Sequence, residues 1–95
     1  MFEQYRVLAG RDPEGKPIYG VTSGAYKSKE VNKYLWENHK AFKLTRLQRN
    51  TLEAKAKGEK LPEIAKRLGL TAWQIKHLWP DTVHQCLQQI WQKTP

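Results

Sequence analysis

Cysteine is almost missing from this 95-residue chain: Cys86 stands alone, so no disulfide can close within it. A lone free thiol suits a reducing compartment, and the expected location is the cytoplasm. Long apolar runs are missing as well. No stretch approaches the roughly 18 consecutive apolar residues that a membrane helix needs, so a soluble protein with no membrane partner is expected. The opening residues, MFEQYRVLAG, lack a basic flank, an apolar run and a small-residue cleavage site, and no secretion signal is expected. Carboxylates are scarce, nine against 17 Lys and Arg, and they form no paired cluster suited to general acid–base work. No glycine-rich phosphate loop is present, since GRDPEGKP is better explained as a turn. His77, His84 and Cys86 raise the question of a metal, but their scatter lacks the paired spacing of a zinc site. The expectation is a protein without enzymatic activity, metal or cofactor.

What the chain has is aromatic material and misplaced charge. With 39% hydrophobic residues and four tryptophans there is enough for one packed core, and 95 residues leave little for a second. The formal net charge is +8, and it is not spread evenly. Between Lys40 and Trp79 ten Lys or Arg face only Glu53, Glu59 and Glu63, whereas the first 39 residues hold six bases against five acids. Positive charge concentrated on one segment is what a polyanion partner requires, because Lys and Arg gain affinity by releasing counterions condensed on phosphates. The duller reading is a solvated face that only keeps the domain soluble.

The chain begins with two short aromatic and β-branched runs, FEQYRVL and IYGVT, separated by Asp12-Pro13-Glu14-Gly15. Proline presets the first central turn position and glycine suits the exit, which predicts a β-hairpin with a fairly long loop. Ser28 then predicts a helix cap, with Val31, Tyr34 and Leu35 inward and an end near His39. Thr45 predicts the cap of a second helix that turns Leu47, Leu52 and Ala56 inward and stops at Gly58. The expected fold is mainly α with an N-terminal β-hairpin, a helix-turn-helix domain of about four helices. The hairpin takes residues 1–27 and the helical part 28–95, in a single compact domain.

The central signal is LPEIAKRLGLTAWQIKHLWP, residues 61–80. Ile64, Ala65 and Leu68 form one apolar stripe, and Gly69 ends that helix. Leu70 tucks under the turn, and Thr71 caps a second helix that turns Ile75 and Leu78 inward. Ala65 is small enough for the two helices to cross closely. Pro80 lacks the N–H needed to continue, so the second helix is expected to be short, covering 71–79. Its solvent side shows Ala72, Trp73, Lys76 and His77, with Gln74 at the margin. A separate closing helix is expected from Val83, Cys86, Leu87, Ile90 and Trp91, with Cys86 a buried thiol on its apolar face.

Leu44-Thr45, Gln48, Leu52, Gly58, Glu63-Ile64-Ala65, Leu68, Leu70-Thr71 and Ile75-Lys76 together give residues 44–80 a pattern that resembles the DNA-binding domain of LuxR-type regulators and the last DNA-binding region of bacterial sigma factors. The first 40 residues hold no counterpart of the receiver or ligand-binding domains that accompany LuxR-type readers, so a small stand-alone helix-turn-helix protein of bacterial or phage type is expected. The resemblance implies that the second helix enters the major groove of double-stranded DNA while the preceding helix lies across the backbone. The candidate base-reading and positioning residues are Thr71, Trp73, Gln74, Lys76 and His77; Arg46, Arg49, Lys60, Lys66 and Arg67 are the candidate phosphate contacts. Trp73 has a competing reading as a core residue folded onto Trp79 or the hairpin, and Lys76 and Gln74 one as inert surface.

The resemblance also implies that the closing helix pairs two copies into a homodimer, its alternative use being to complete the core. The hairpin is expected to pack on the helices, with a DNA wing through Arg11 and Lys16 or an edge strand for a protein partner as further roles. Three functions remain open. The first is a sequence-specific transcriptional regulator. The second is a packaging or architectural protein that binds DNA with little sequence preference. The third is a protein–protein interaction module using the same motif.

Overall fold

The computed structural model describes residues 1–93; Thr94 and Pro95, the end of the 28–95 helical segment, lie outside the described residues. Two strands, β1 (Arg6–Arg11) and β2 (Pro17–Val21), form an antiparallel hairpin, followed by the single turn α1 (Gly24–Lys27) and four longer helices. These are α2 (Lys29–Glu37), α3 (Arg46–Ala56), α4 (Leu61–Leu68) and α5 (Ala72–Lys93). Among the described residues no helix is long and apolar enough to cross a membrane.

The hairpin loop is organised by Asp12. Its Oδ1 accepts the amides of Glu14 at 2.9 Å and Lys16 at 2.8 Å, while Gly15 takes the left-handed φ of +84° that the turn needs. Register runs from Arg6 opposite Val21 to Arg11 opposite Pro17, with a bulge between Leu8 and Gly10. Two strands do not hold themselves together in water, and here the hairpin is tied to the far end of α5. The Gln88 amide donates to the Tyr19 carbonyl, the Trp91 indole donates to the Met1 carbonyl at 2.9 Å, and the Arg6 guanidinium lies 5.7 Å from the Trp91 ring centre.

Ser28 caps α2 by accepting the Val31 amide, and the helix ends at Glu37, two residues before the expected His39. Asn38 closes it by donating to the Tyr34 carbonyl at 2.9 Å. Thr45 caps α3, as the sequence predicts, and does so reciprocally with Gln48. The inward face of α3 differs from expectation: Thr51, Leu52 and Ala54 are buried, Ala56 is half-buried, and Leu47 is exposed. Thr51 can take a core position because its hydroxyl donates to the Leu47 carbonyl at 2.9 Å, leaving no polar atom unpaired.

Pro80 lies inside a helix and does not end one. The second helix of the motif does not stop there, and no separate closing helix exists; α5 runs 22 residues through the proline. Ile75, Trp79, Val83, Cys86, Leu87 and Trp91 form one buried stripe on both sides of it. A proline in a helix interior costs about 3 kcal/mol, whereas burying each of Ile75, Val83 and Leu87 contributes about 1.5–3 kcal/mol. The stripe wins. Trp79, which sits just before the proline, is further fixed by its indole N–H on the Tyr26 carbonyl at 3.1 Å.

Candidate nucleic-acid interface

The helix-turn-helix has a small core of its own. Ala54 of α3, Ile64 and Ala65 of α4 and Ile75 of α5 are buried together, with Leu61, Leu68, Leu70 and Leu78 packed around them. Gly69 adopts φ +71° and ψ +29°, a left-handed conformation that ends α4 and that a side chain would strain. The Leu70 amide reaches back to the Ala65 carbonyl at 2.8 Å, which closes the turn. Thr71 and Gln74 then start α5 with a reciprocal cap: the Gln74 amide donates to Thr71 Oγ1 at 3.1 Å and the Thr71 amide to Gln74 Oε1 at 2.8 Å. The same device starts α3 at Thr45 and Gln48.

This geometry sorts the candidate residues. Thr71, Trp73, Gln74, Lys76 and His77 are all exposed around the first two turns of α5. Thr71 and Gln74, however, use the hydroxyl and the side-chain oxygen in the cap, so their first role is to start the helix. Trp73 is 70% exposed and therefore not core; its ring lies 4.4 Å from that of His77, tilted by 52°. Lys76 is exposed with no carboxylate within ion-pair distance among the described residues, and the same holds for Lys60, Lys66, Arg46 and Arg49. Arg67 differs: its guanidinium is held 2.7 Å from Glu59 Oε2, which ties the segment before α4 to the end of that helix.

Two features escape sequence reading. A groove of 590 Å³ lies between α4 and α5, floored by Leu61, Ala65, Leu70 and Ile75 and flanked by Lys66 and Lys76. Its signal was the small Ala65 and Ala72 beside Pro62, residues that leave space rather than fill it. The second is a set of glutamines on the far half of α5. Gln85 donates to the Lys43 carbonyl at 3.2 Å and accepts from Gln48 at 2.9 Å, and Gln89 accepts the Lys43 amide at 3.1 Å. They clamp the segment before α3 onto α5 and so fix the basic residues of α3 relative to the motif.

The apolar stripe of α5 beyond Pro80 is spent inside the chain, with Val83, Cys86 and Leu87 wholly buried. Pairing of two copies through that helix is left with its polar side. Cys86 is walled in, and burial pushes its thiol up to about 12. Among the described residues no three His, Cys, Asp or Glu side chains gather into a metal-sized cluster. Compared with known protein families, with curated proteins and with solved structures, the chain finds no match in any of the three.

Proposed function

We propose that this protein binds double-stranded DNA through the first two turns of α5 and reads sequence there, as a small regulator of transcription in a reducing cytoplasm. The observation that carries the reading is that α5 begins with exposed, unpaired Lys76 beside exposed His77 and Trp73, on a helix that follows the left-handed turn at Gly69. A helix seated in this way fits the major groove, whose base edges offer a distinct pattern of donors and acceptors for each pair. Lys76 and His77 are the hydrogen-bonding readers, and Trp73 meets a thymine methyl or a sugar. The amides of Ala72 and Trp73, in the first turn, have no acceptor four residues earlier within the helix and suit a phosphate. Lys60, Lys66, Arg46 and Arg49 supply sequence-independent phosphate contacts, with Arg67 a weaker member because Glu59 already holds it.

The buried stripe of α5 favours one copy on one short site over a dimer on an inverted repeat. The test is selection of bound duplexes from a randomised library at near-physiological salt, with Lys76→Ala/His77→Ala run in parallel. Enrichment of a motif by the wild type and its loss in the variant is expected, and an inverted repeat would show that two copies act together. Tight binding without enrichment would move the function to packaging or architecture. No binding at all would turn the groove between α4 and α5, apolar and flanked by lysines, into the surface of a protein-interaction module.

A further inference from the structure

A cleft of 480 Å³ opens between α2 and the C-terminal end of α3, and no residue of α4 or α5 lines it. Lys29 and Lys33 border it from α2, and Lys55 and Lys57 from the end of α3; Glu37 is the one carboxylate in its lining. The charges are poorly answered. Lys33 lies 3.9 Å from Glu37 and Lys57 3.0 Å from Glu53, both exposed pairs that a ligand can displace. Lys29 has no carboxylate within ion-pair distance among the described residues. Lys55 faces an aromatic ring, its Nζ 5.8 Å from the centre of Trp79.

Two further groups in the wall are not explained by surface charge. Asn32 is 5% exposed, yet its Oδ1 has no hydrogen-bond partner. Buried carboxamides are nearly always satisfied; Oδ1 here is closed off from solvent, and a turn about the broad terminal torsion is what presents the amide to a ligand in the cleft. Trp36 is half-buried and lines the same cleft; the His39 ring stacks on it at 4.1 Å and 8° and holds the indole in place.

We propose that this cleft binds a free nucleotide, with phosphates on Lys29, Lys33, Lys55 and Lys57, the base beside Trp36, and a polar edge of the base on Asn32. A simple anion would answer the lysines and leave Asn32 and Trp36 unused, whereas a base supplies a hydrogen bond for one and a flat face for the other. A duplex backbone is the poorer fit, because paired and stacked bases do not reach a wall that is approached through phosphate. The site does not depend on DNA reading by α5.

The test is titration of the full ¹⁵N-labelled chain with ATP in the absence of magnesium, following the Asn32 side-chain amide and the Trp36 indole N–H. Saturable shifts of both signals are expected. Lys29→Gln/Lys33→Gln, at exposed positions, should weaken the affinity by about tenfold or more. Inorganic tripolyphosphate should bind at least about tenfold more weakly than ATP. Equal affinity for tripolyphosphate would show that no base is read and overturn the proposal, as would the absence of saturable shifts up to ~1 mM. A random-sequence DNA duplex should bind the double variant and the wild type alike. If the duplex instead loses as much affinity as ATP does, the cleft is a backbone contact and the proposal is wrong.

Discussion

Replacing Pro80 with alanine should stabilise this protein, because the proline lies inside a 22-residue helix that continues on both sides of it. Alanine regains an N–H for the Lys76 carbonyl, a net gain of about 0.5–1.5 kcal/mol, and relieves the ring's crowding against that carbonyl. The difference in helix propensity, about 3 kcal/mol, is an upper bound, since α5 has already adapted to the ring. Against this, alanine frees the unfolded chain by about 0.4–1 kcal/mol. Pro80 is half-buried, so part of about 0.8 kcal/mol per lost CH₂ contact is forfeited too. With the regained bond and the relieved crowding together bounded by that figure, the net gain is at most about 1–2 kcal/mol, or a Tm rise of up to roughly 5–15 °C for a domain of this size. Urea unfolding and a thermal melt of Pro80→Ala measure it, and amide exchange at residue 80 of the variant should show protection. A proline at the first turn of a separate helix is favourable, so its removal there brings no gain. Reduced stability together with no protection at residue 80 would therefore refute the continuous helix and restore the break that the sequence suggests.

Thr71→Ala should cost about 1 kcal/mol in urea unfolding through loss of the cap. Gln74→Ala should leave the preferred DNA sequence unchanged, and a shifted preference would make Gln74 a base reader after all. Lys60→Ala or Lys66→Ala should each reduce the slope of log affinity against log salt by about 0.9 on every duplex. Lys76→Ala should instead cost about 1–3 kcal/mol of discrimination at one position, and a uniform loss would assign Lys76 to the backbone. Cys86 ties stability to alkaline pH. Below about pH 9 its thiol is protonated in both states; between about 9 and 12 the unfolded chain gives up a proton that the folded chain keeps, so stability falls as pH rises. Cys86→Ala should flatten that fall whatever it costs at neutral pH, and an unchanged slope would place the thiol in contact with solvent. Asn32→Leu should raise stability by about 1 kcal/mol by removing an unpaired buried oxygen. A loss on denaturant unfolding would mean that Asn32 has a partner in solution.

Local signals carried far along this chain. Ser28, Thr45 and Thr71 were legible as caps because a hydroxyl three residues before a free amide is a short-range device, and each is observed with its hydrogen bond. Gly69 and Gly58 were legible for a similar reason, both taking the positive φ that an L side chain resists. The exposure of Trp73, Lys76 and His77 followed from helix periodicity once Ile75 was assigned inward. Leu47 was misplaced because an apolar residue in the first turn of a helix has no sequence mark saying whether a neighbour covers it.

The sequence by itself therefore determined the hairpin, the helices α2 to α4, the turn of the motif and the concentration of charge on it, all properties of residues close together along the chain. Tertiary structure decided what depends on packing between distant residues. It carried α5 through Pro80, because burial on both sides outweighs one missing hydrogen bond, and it spent the stripe from Val83 to Trp91 on the internal core. It gave Gln85, Gln88 and Gln89 their roles as clamps on the segment before α3 and on the hairpin. It also brought Lys29 and Lys33 beside Lys55 and Lys57 around an unsatisfied Asn32, a juxtaposition fixed only when α2 packs on α3.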